Sequence, residues 1–187
     1  MAEQGEGVSV LVAPGLGGSG ADHWQGWLQA RHPAFRRVEQ RDWDAPVLQE
    51  WVAALEAEVA AAPAPVVLVA HSLACILVAH WAKSGSTGKI AAALLVAPPD
   101  VESAEHTPPS VHGFAPVPAD PLPFRTVVLG SRNDPYCTAM RACAFAAGWG
   151  ADFIDSGEVG HINTEAGFGP WPEGERLVQD LVRDASA

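Results

Sequence analysis

The sequence predicts an α/β fold: a mostly parallel six-stranded sheet with helices on both faces, forming a single domain over residues 1–187. Three observations predict it. Short β-branched apolar runs alternate with helix-period segments along the chain. Its 187 residues, 48% hydrophobic and 18% charged, suffice for one well-developed core but not for two ordinary domains. No internal repeat or linker-like stretch divides them.

Taken in order, residues 8–13 read as a strand, 21–31 as a helix, 36–40 as a short strand and 47–62 as an amphipathic helix. A strand over 66–70 runs almost directly into a helix over 73–82. Further strands are expected at 90–97, 126–130 and 152–155, with helices near 138–148 and 173–184. In an open parallel sheet, sites gather at the carboxyl ends of the strands.

Ser72 lies where the run Val66-Val-Leu-Val-Ala-His71 breaks and Leu73-Ala-Cys-Ile-Leu resumes with helical character. A serine in a tight strand-to-helix turn presents its hydroxyl clear of the sheet, provided the residues two positions away are small. Ala70 and Ala74 fill those positions in place of the usual glycines. Alone, the segment reads more readily as a buried strand followed by an ordinary serine N-cap. What lies downstream favours a nucleophile. Asp134 follows the strand-like segment ending at Gly130, and His161 follows the one ending at Asp155. Serine, carboxylate and histidine then stand in the order of the α/β-hydrolases, with His161 as base and Asp134 as its orienting partner. Asp100 and Asp155 also follow strands and stand as substitutes for Asp134.

The run Gly15-Leu-Gly-Gly-Ser-Gly20 carries two readings. It matches Gly-x-Gly-x-x-Gly after a strand, and Glu39 lies nineteen residues beyond Gly20, where a ribose-binding acid would stand in a dinucleotide site. Against this, the helix begins only after the third glycine. In the second reading the loop donates the Leu16 N–H to an oxyanion, with the Leu73 N–H as the other donor.

A net charge of −11 disfavours nucleic-acid backbones and anionic membrane surfaces. No apolar run approaches the roughly 20 residues of a membrane span, and the acidic opening at residues 1–7 is unlike a secretory signal; a cytoplasmic protein is expected. Cys75, Cys137 and Cys143 are an odd set without metal-ligand spacing and read as reduced structural thiols. His23, His32, His80, His106 and His112 likewise form no ligand pattern, so neither metal nor cofactor is expected. His71 reads as a pocket-wall or core histidine. Trp171 reads equally as lining an acyl pocket or anchoring the last helix. Residues 98–123 hold half of the 16 prolines, show no periodicity and read as a long loop, either a functional cover or a partner surface, or a plain connection.

The strings Pro14-Gly-Leu-Gly-Gly-Ser19 with Asp22-His-Trp24, Gln40-Arg-Asp-Trp43, Ala70-His-Ser-Leu-Ala74, Ser131-Arg-Asn-Asp-Pro-Tyr136, Gly160-His-Ile-Asn163 and Gly169-Pro-Trp-Pro-Glu-Gly174 resemble the small serine-hydrolase family that includes retinoblastoma-binding protein nine. The resemblance covers nearly the whole chain. It implies a cap-less α/β-hydrolase domain with a Ser72, Asp134 and His161 triad that hydrolyses small ester or amide substrates through an acyl-enzyme. The segment 98–123 would then stand where larger relatives carry a cap, leaving a shallow, open pocket. Ala74 departs from the glycine common in that family, which puts rate in question more than mechanism. Two other functions are compatible with the sequence: a partner-binding protein on a hydrolase scaffold, and a dinucleotide-binding protein.

Overall fold

The computed structural model describes residues 7–187. The acidic opening at residues 1–6 lies outside the described residues. Six strands form one sheet: β1 (Ser9–Ala13), β2 (Arg36–Arg37), β3 (Val66–His71), β4 (Ile90–Val96), β5 (Arg125–Gly130) and β6 (Asp152–Asp155). They lie in the order β2-β1-β3-β4-β5-β6, and all five pairings are parallel. The five helices are α1 (Trp24–Arg31), α2 (Leu48–Ala61), α3 (Leu73–Trp81), α4 (Ala139–Trp149) and α5 (Pro172–Ala185).

The central strands are continuously apolar because a parallel sheet is covered on both faces, and alternate residues therefore enter two separate cores. Leu11, Ala13, Leu68 and Ala70 pack with residues of α2, α3 and α4, while Val10, Val12, Val67 and Val69 pack with residues of α1 and α5. α3 is buried over eight of its nine residues, with only His80 partly exposed. Nearly all-round burial explains why its sequence carries no polar stripe.

Two elements are shorter than their sequence suggests. The second strand keeps only Arg36–Arg37 of the expected 36–40, although Val38 still donates its N–H to Val12 O at 2.9 Å before the chain leaves the sheet. The first helix begins at Trp24, not residue 21, because His23 is its N-cap: Nδ1 of that ring accepts the Gln25 N–H at 3.1 Å.

The proline-rich segment differs more. It contains a 3₁₀ helix, Pro109–Phe114, and buries Val101, Val111 and Phe114, the last against Trp51 with ring centroids 5.7 Å apart. It is fastened along its length. Asp100 N donates to Tyr136 O at 2.9 Å, His80 Nε2 to Phe114 O at 2.6 Å, and Trp149 Nε1 to Pro118 O at 2.8 Å. Arg141 binds Asp100 and Glu102 together. Trp171 packs on Trp24 (centroids 5.1 Å) and Phe168 at the start of α5, so it anchors that helix.

Gly26 in α1 tests this packing. A Cβ there would lie 2.2 Å from Gly20 O and 2.9 Å from Gly20 C. Glycine to alanine in a helix interior ordinarily gains about 1 kcal/mol. Here Gly26→Ala is expected to destabilise by about 1–3 kcal/mol, as overpacking does, in urea unfolding. A gain in stability would contradict this placement of α1 against the glycine-rich loop.

Candidate active site

Between β3 and α3 the chain has a single residue in which to turn from strand to helix. Ser72 does so with φ 56° and ψ −126°, a left-handed conformation that a non-glycine residue holds at a cost of about 1–3 kcal/mol. Ser72 N donates to Val96 O at 2.9 Å, and Cys75 N donates back to Ser72 O at 2.8 Å, which fixes the turn on both sides. Ala70 and Ala74 are fully buried. Gly15 lies directly against the turn: a Cβ there would come within 2.8 Å of Ser72 Cβ and 2.9 Å of His71 O. The first glycine of the run is thus required by close approach to Ser72.

The three residues expected from the sequence meet here. His161 Nε2 lies 2.8 Å from Ser72 Oγ, and His161 Nδ1 lies 2.9 and 3.0 Å from the two Asp134 carboxylate oxygens. The carboxylate accepts a hydrogen bond from Nδ1–H, leaving Nε2 to accept from the serine hydroxyl. Such an array can remove the hydroxyl proton as oxygen attacks an electrophile. Asp134 and His161 are buried, and Asp134 Oδ1 also accepts the Tyr136 N–H at 2.9 Å. The substitutes considered for Asp134 face elsewhere: Asp155 pairs with Arg132 at 2.8 Å and Asp100 with Arg141 at 3.4 Å.

The loops after β5 and β6 are tied to each other. Ser131 Oγ donates to Asn133 Oδ1, and these two side chains accept the N–H groups of Val159 (3.1 Å) and Gly160 (2.7 Å). On the other side of the base, Trp24 Nε1 donates to Ile162 O at 2.9 Å and His71 Nε2 to His161 O at 3.0 Å. His71 is therefore a buried support for the base loop. Burial, followed by the neighbouring His161 and His23, holds its pKa well below the usual imidazole range, so it remains neutral.

The glycine-rich loop is built against Ser72 and not around a helix N-terminus. Arg37 Nη1 donates to Ser19 O at 2.7 Å, and Ser19 Oγ donates to Gln25 Oε1 at 2.6 Å. Gln25, fully buried, then bridges Ala13 O and Val69 O at the ends of β1 and β3. The amides of Leu16 and Leu73 have no acceptor among the described residues. Glu39, the ribose-binding acid of the dinucleotide reading, is paired with Arg37 at 3.0 Å.

A cavity of about 370 Å³ opens over Ser72, walled by Leu16, His23, Tyr136 and His161 and, from the proline-rich segment, by Thr107 and Val111. Sequence reasoning did not assign His23 or Tyr136 to the site, and it left residues 98–123 open between a functional cover, a partner surface and a plain connection. Tyr136 stands edge-on to His161 with centroids 4.5 Å apart, two residues beyond Asp134, a spacing that could have flagged it. Burial, followed by Asp134 and Asp100, pushes the Cys137 thiol up to about 12, which leaves it inert at neutral pH. Among the described residues no cluster of three or more His, Cys, Asp or Glu side chains could hold a metal ion, and no helix is long and apolar enough to cross a membrane.

A model of the serine hydrolase family matches residues 10–180. No curated protein matches the chain. Among solved structures, a YdeN-like hydrolase from Pectobacterium atrosepticum is similar at 32% identity and TM-score 0.86, covering 96% of this chain and 93% of its own. The ydeN gene product of B. subtilis is similar at 18% identity and TM-score 0.75, covering 94% and 98%. The esterase domain of a Rhodothermus marinus protein shares the fold at 13% identity and TM-score 0.67, covering 95% and 87%.

Burial, followed by the neighbouring His161 and Arg37, lowers the His23 pKa from 6.5 to about 4. The unfolded chain therefore binds more protons than the folded one between those values. Stability from this residue is full above pH 6.5 and is lost as pH falls toward 4, by up to about 3 kcal/mol. Urea unfolding at pH 7.5, 5.5 and 4.5 should show this decline, and His23→Asn should flatten part of it; identical slopes in the two proteins would contradict a neutral, buried His23.

Proposed function

The chain belongs to the serine hydrolase family, and on that premise we propose that it cleaves small ester or amide substrates through an acyl-enzyme on Ser72. The observation that carries this reading is the continuous contact from the Asp134 carboxylate through His161 to Ser72 Oγ, at 2.9 and 2.8 Å, at the base of an open cavity.

In the proposed cycle the Ser72 proton passes to His161 Nε2 as Oγ bonds to the substrate carbonyl carbon. Asp134 holds the Nδ1 proton and stabilises the imidazolium without being protonated itself. The carbonyl oxygen takes up negative charge and is held by the Leu16 and Leu73 N–H groups, each such donor being worth roughly 3 kcal/mol at the transition state. When the tetrahedral intermediate collapses, the leaving group takes the proton from His161. Water then adds to the acyl carbon, giving its proton to the same nitrogen; as this second intermediate collapses, His161 returns that proton to Ser72 Oγ and the acid is released. No step calls on a cofactor. The free thiols of Cys75, Cys137 and Cys143 accord with the reducing cytoplasm as its site of action.

Exposure to a fluorophosphonate, followed by intact-protein mass measurement, tests the assignment. A single adduct is expected on the wild-type chain and none on Ser72→Ala or His161→Ala. Asp134→Asn, which offers the base the wrong tautomeric partner, is expected to lower ester turnover roughly 10⁴-fold. An unlabelled but folded wild-type protein would refute the acyl-enzyme and turn attention to a binding role on the hydrolase scaffold.

A further inference from the structure

His23 lines the cavity, is only 7% exposed, and has no part in the cycle above. Its Nδ1 accepts the Gln25 N–H, which puts the ring proton on Nε2, and Nε2 has no hydrogen-bond partner among the described residues. Buried donors without an acceptor are unfavourable and rare in folded proteins, so one in the wall of a substrate cavity calls for an acceptor from the substrate.

We propose that His23 Nε2–H is a specificity-determining donor that binds a neutral oxygen (ether, hydroxyl or carbonyl) on the acyl chain of the substrate. This rests on the hydrolase reading of Ser72. We place this contact on the acyl side because His161 hands its proton to the leaving group, whereas His23 lines the cavity beside Leu16, Gly18 and Ser19 of the glycine-rich loop. Charge decides for a neutral partner. No lysine or arginine lines the cavity among the described residues, Glu165 stands on its wall, and His23 is itself uncharged at neutral pH, which leaves a substrate anion uncompensated. The Nε2 atom is covered in the resting structure, where the His23 ring lies edge-on to His71 with centroids 4.7 Å apart, so the cavity wall must yield slightly as an acyl group seats.

Two pairs of p-nitrophenyl esters isolate the contact, because the members of each pair differ only by oxygen in place of CH₂: methoxyacetate with butyrate, and 3-methoxypropionate with pentanoate. kcat/KM is measured for each, and the oxygen-to-carbon ratio is divided by the same ratio for hydroxide hydrolysis, which removes intrinsic reactivity. His23→Asn retains a side-chain acceptor for the α1 N-cap but is too short to present the donor. His23→Gln restores an N–H near the Nε2 position. Far-ultraviolet circular dichroism checks that both variants are folded. In at least one pair the corrected ratio is expected to fall about fivefold in His23→Asn, the scale of one neutral hydrogen bond, and to recover at least half of that loss in His23→Gln. Ratios unchanged in both pairs overturn the proposal, as does an equal loss on oxygen and carbon esters, which would make His23 a support for the loop. A ratio that falls in both variants alike also overturns it, since the donor would then not be what matters. Absence of wild-type turnover on all four esters, together with no fluorophosphonate adduct, removes the hydrolase reading and this proposal with it.

Discussion

The left-handed turn at Ser72 is the constraint around which the molecule is arranged. A strand and a helix, both buried, meet with one residue between them, and that residue sits in a conformation its side chain disfavours. The cost of about 1–3 kcal/mol is smaller than what burial of Leu73, Ile76, Leu77 and Val78 returns, at about 1.5–3 kcal/mol each, so packing of α3 can hold the strain in place. The same turn dictates its surroundings. Position 15 must be glycine because the first loop runs within contact distance of it, positions 70 and 74 must be small, and Val96 at the end of β4 must offer its carbonyl.

Around that fixed point, the other groups are placed by hydrogen bonds between loops rather than by regular structure. Asn133 and Ser131 bind the approach to His161 from the β5 side, while His71 and Trp24 bind its exit from the β3 and α1 sides. Gln25 does the same for the glycine-rich loop, joining β1, β3 and Ser19 from inside α1. Except for Asn133 these partners are buried, so most of the bonds are made in a setting where losing them would strand a polar group. The outcome is a preformed site in which base and nucleophile already touch.

What could be read in the sequence follows from this division. β3 and β4 are legible because burial on both faces writes an unbroken apolar run; Ser72 is legible because it directly follows β3, and Asp134 and His161 because each comes in the turn region after a later strand-like segment. The loop bonds have no period and are not legible. The role of His23 was not legible because histidine is an unusual N-cap, and the same cap moved the start of α1 by three residues. β2 contracted because only two of its residues find partners on β1. Residues 98–123 looked featureless because their packing is carried by isolated residues, Val101, Val111 and Phe114, and by carbonyls received from distant side chains. Trp171 was ambiguous for a different reason: its neighbours Trp24 and Phe168 come from separate parts of the chain.

β4 differs from β3, β5 and β6 in what its carboxyl end supplies. The loops following those three carry Ser72, Asp134 and His161, whereas the segment after β4 gives the cavity a wall and none of the reacting groups. One part of the cavity wall is thus written in a stretch of chain that carries no reacting group. That stretch leaves the sheet after Val96 and rejoins it at Arg125, so its cavity-facing residues, Thr107 among them, can change while the reaction they overlook stays the same. For descendants of this chain, or for a designer, new selectivity is a local edit.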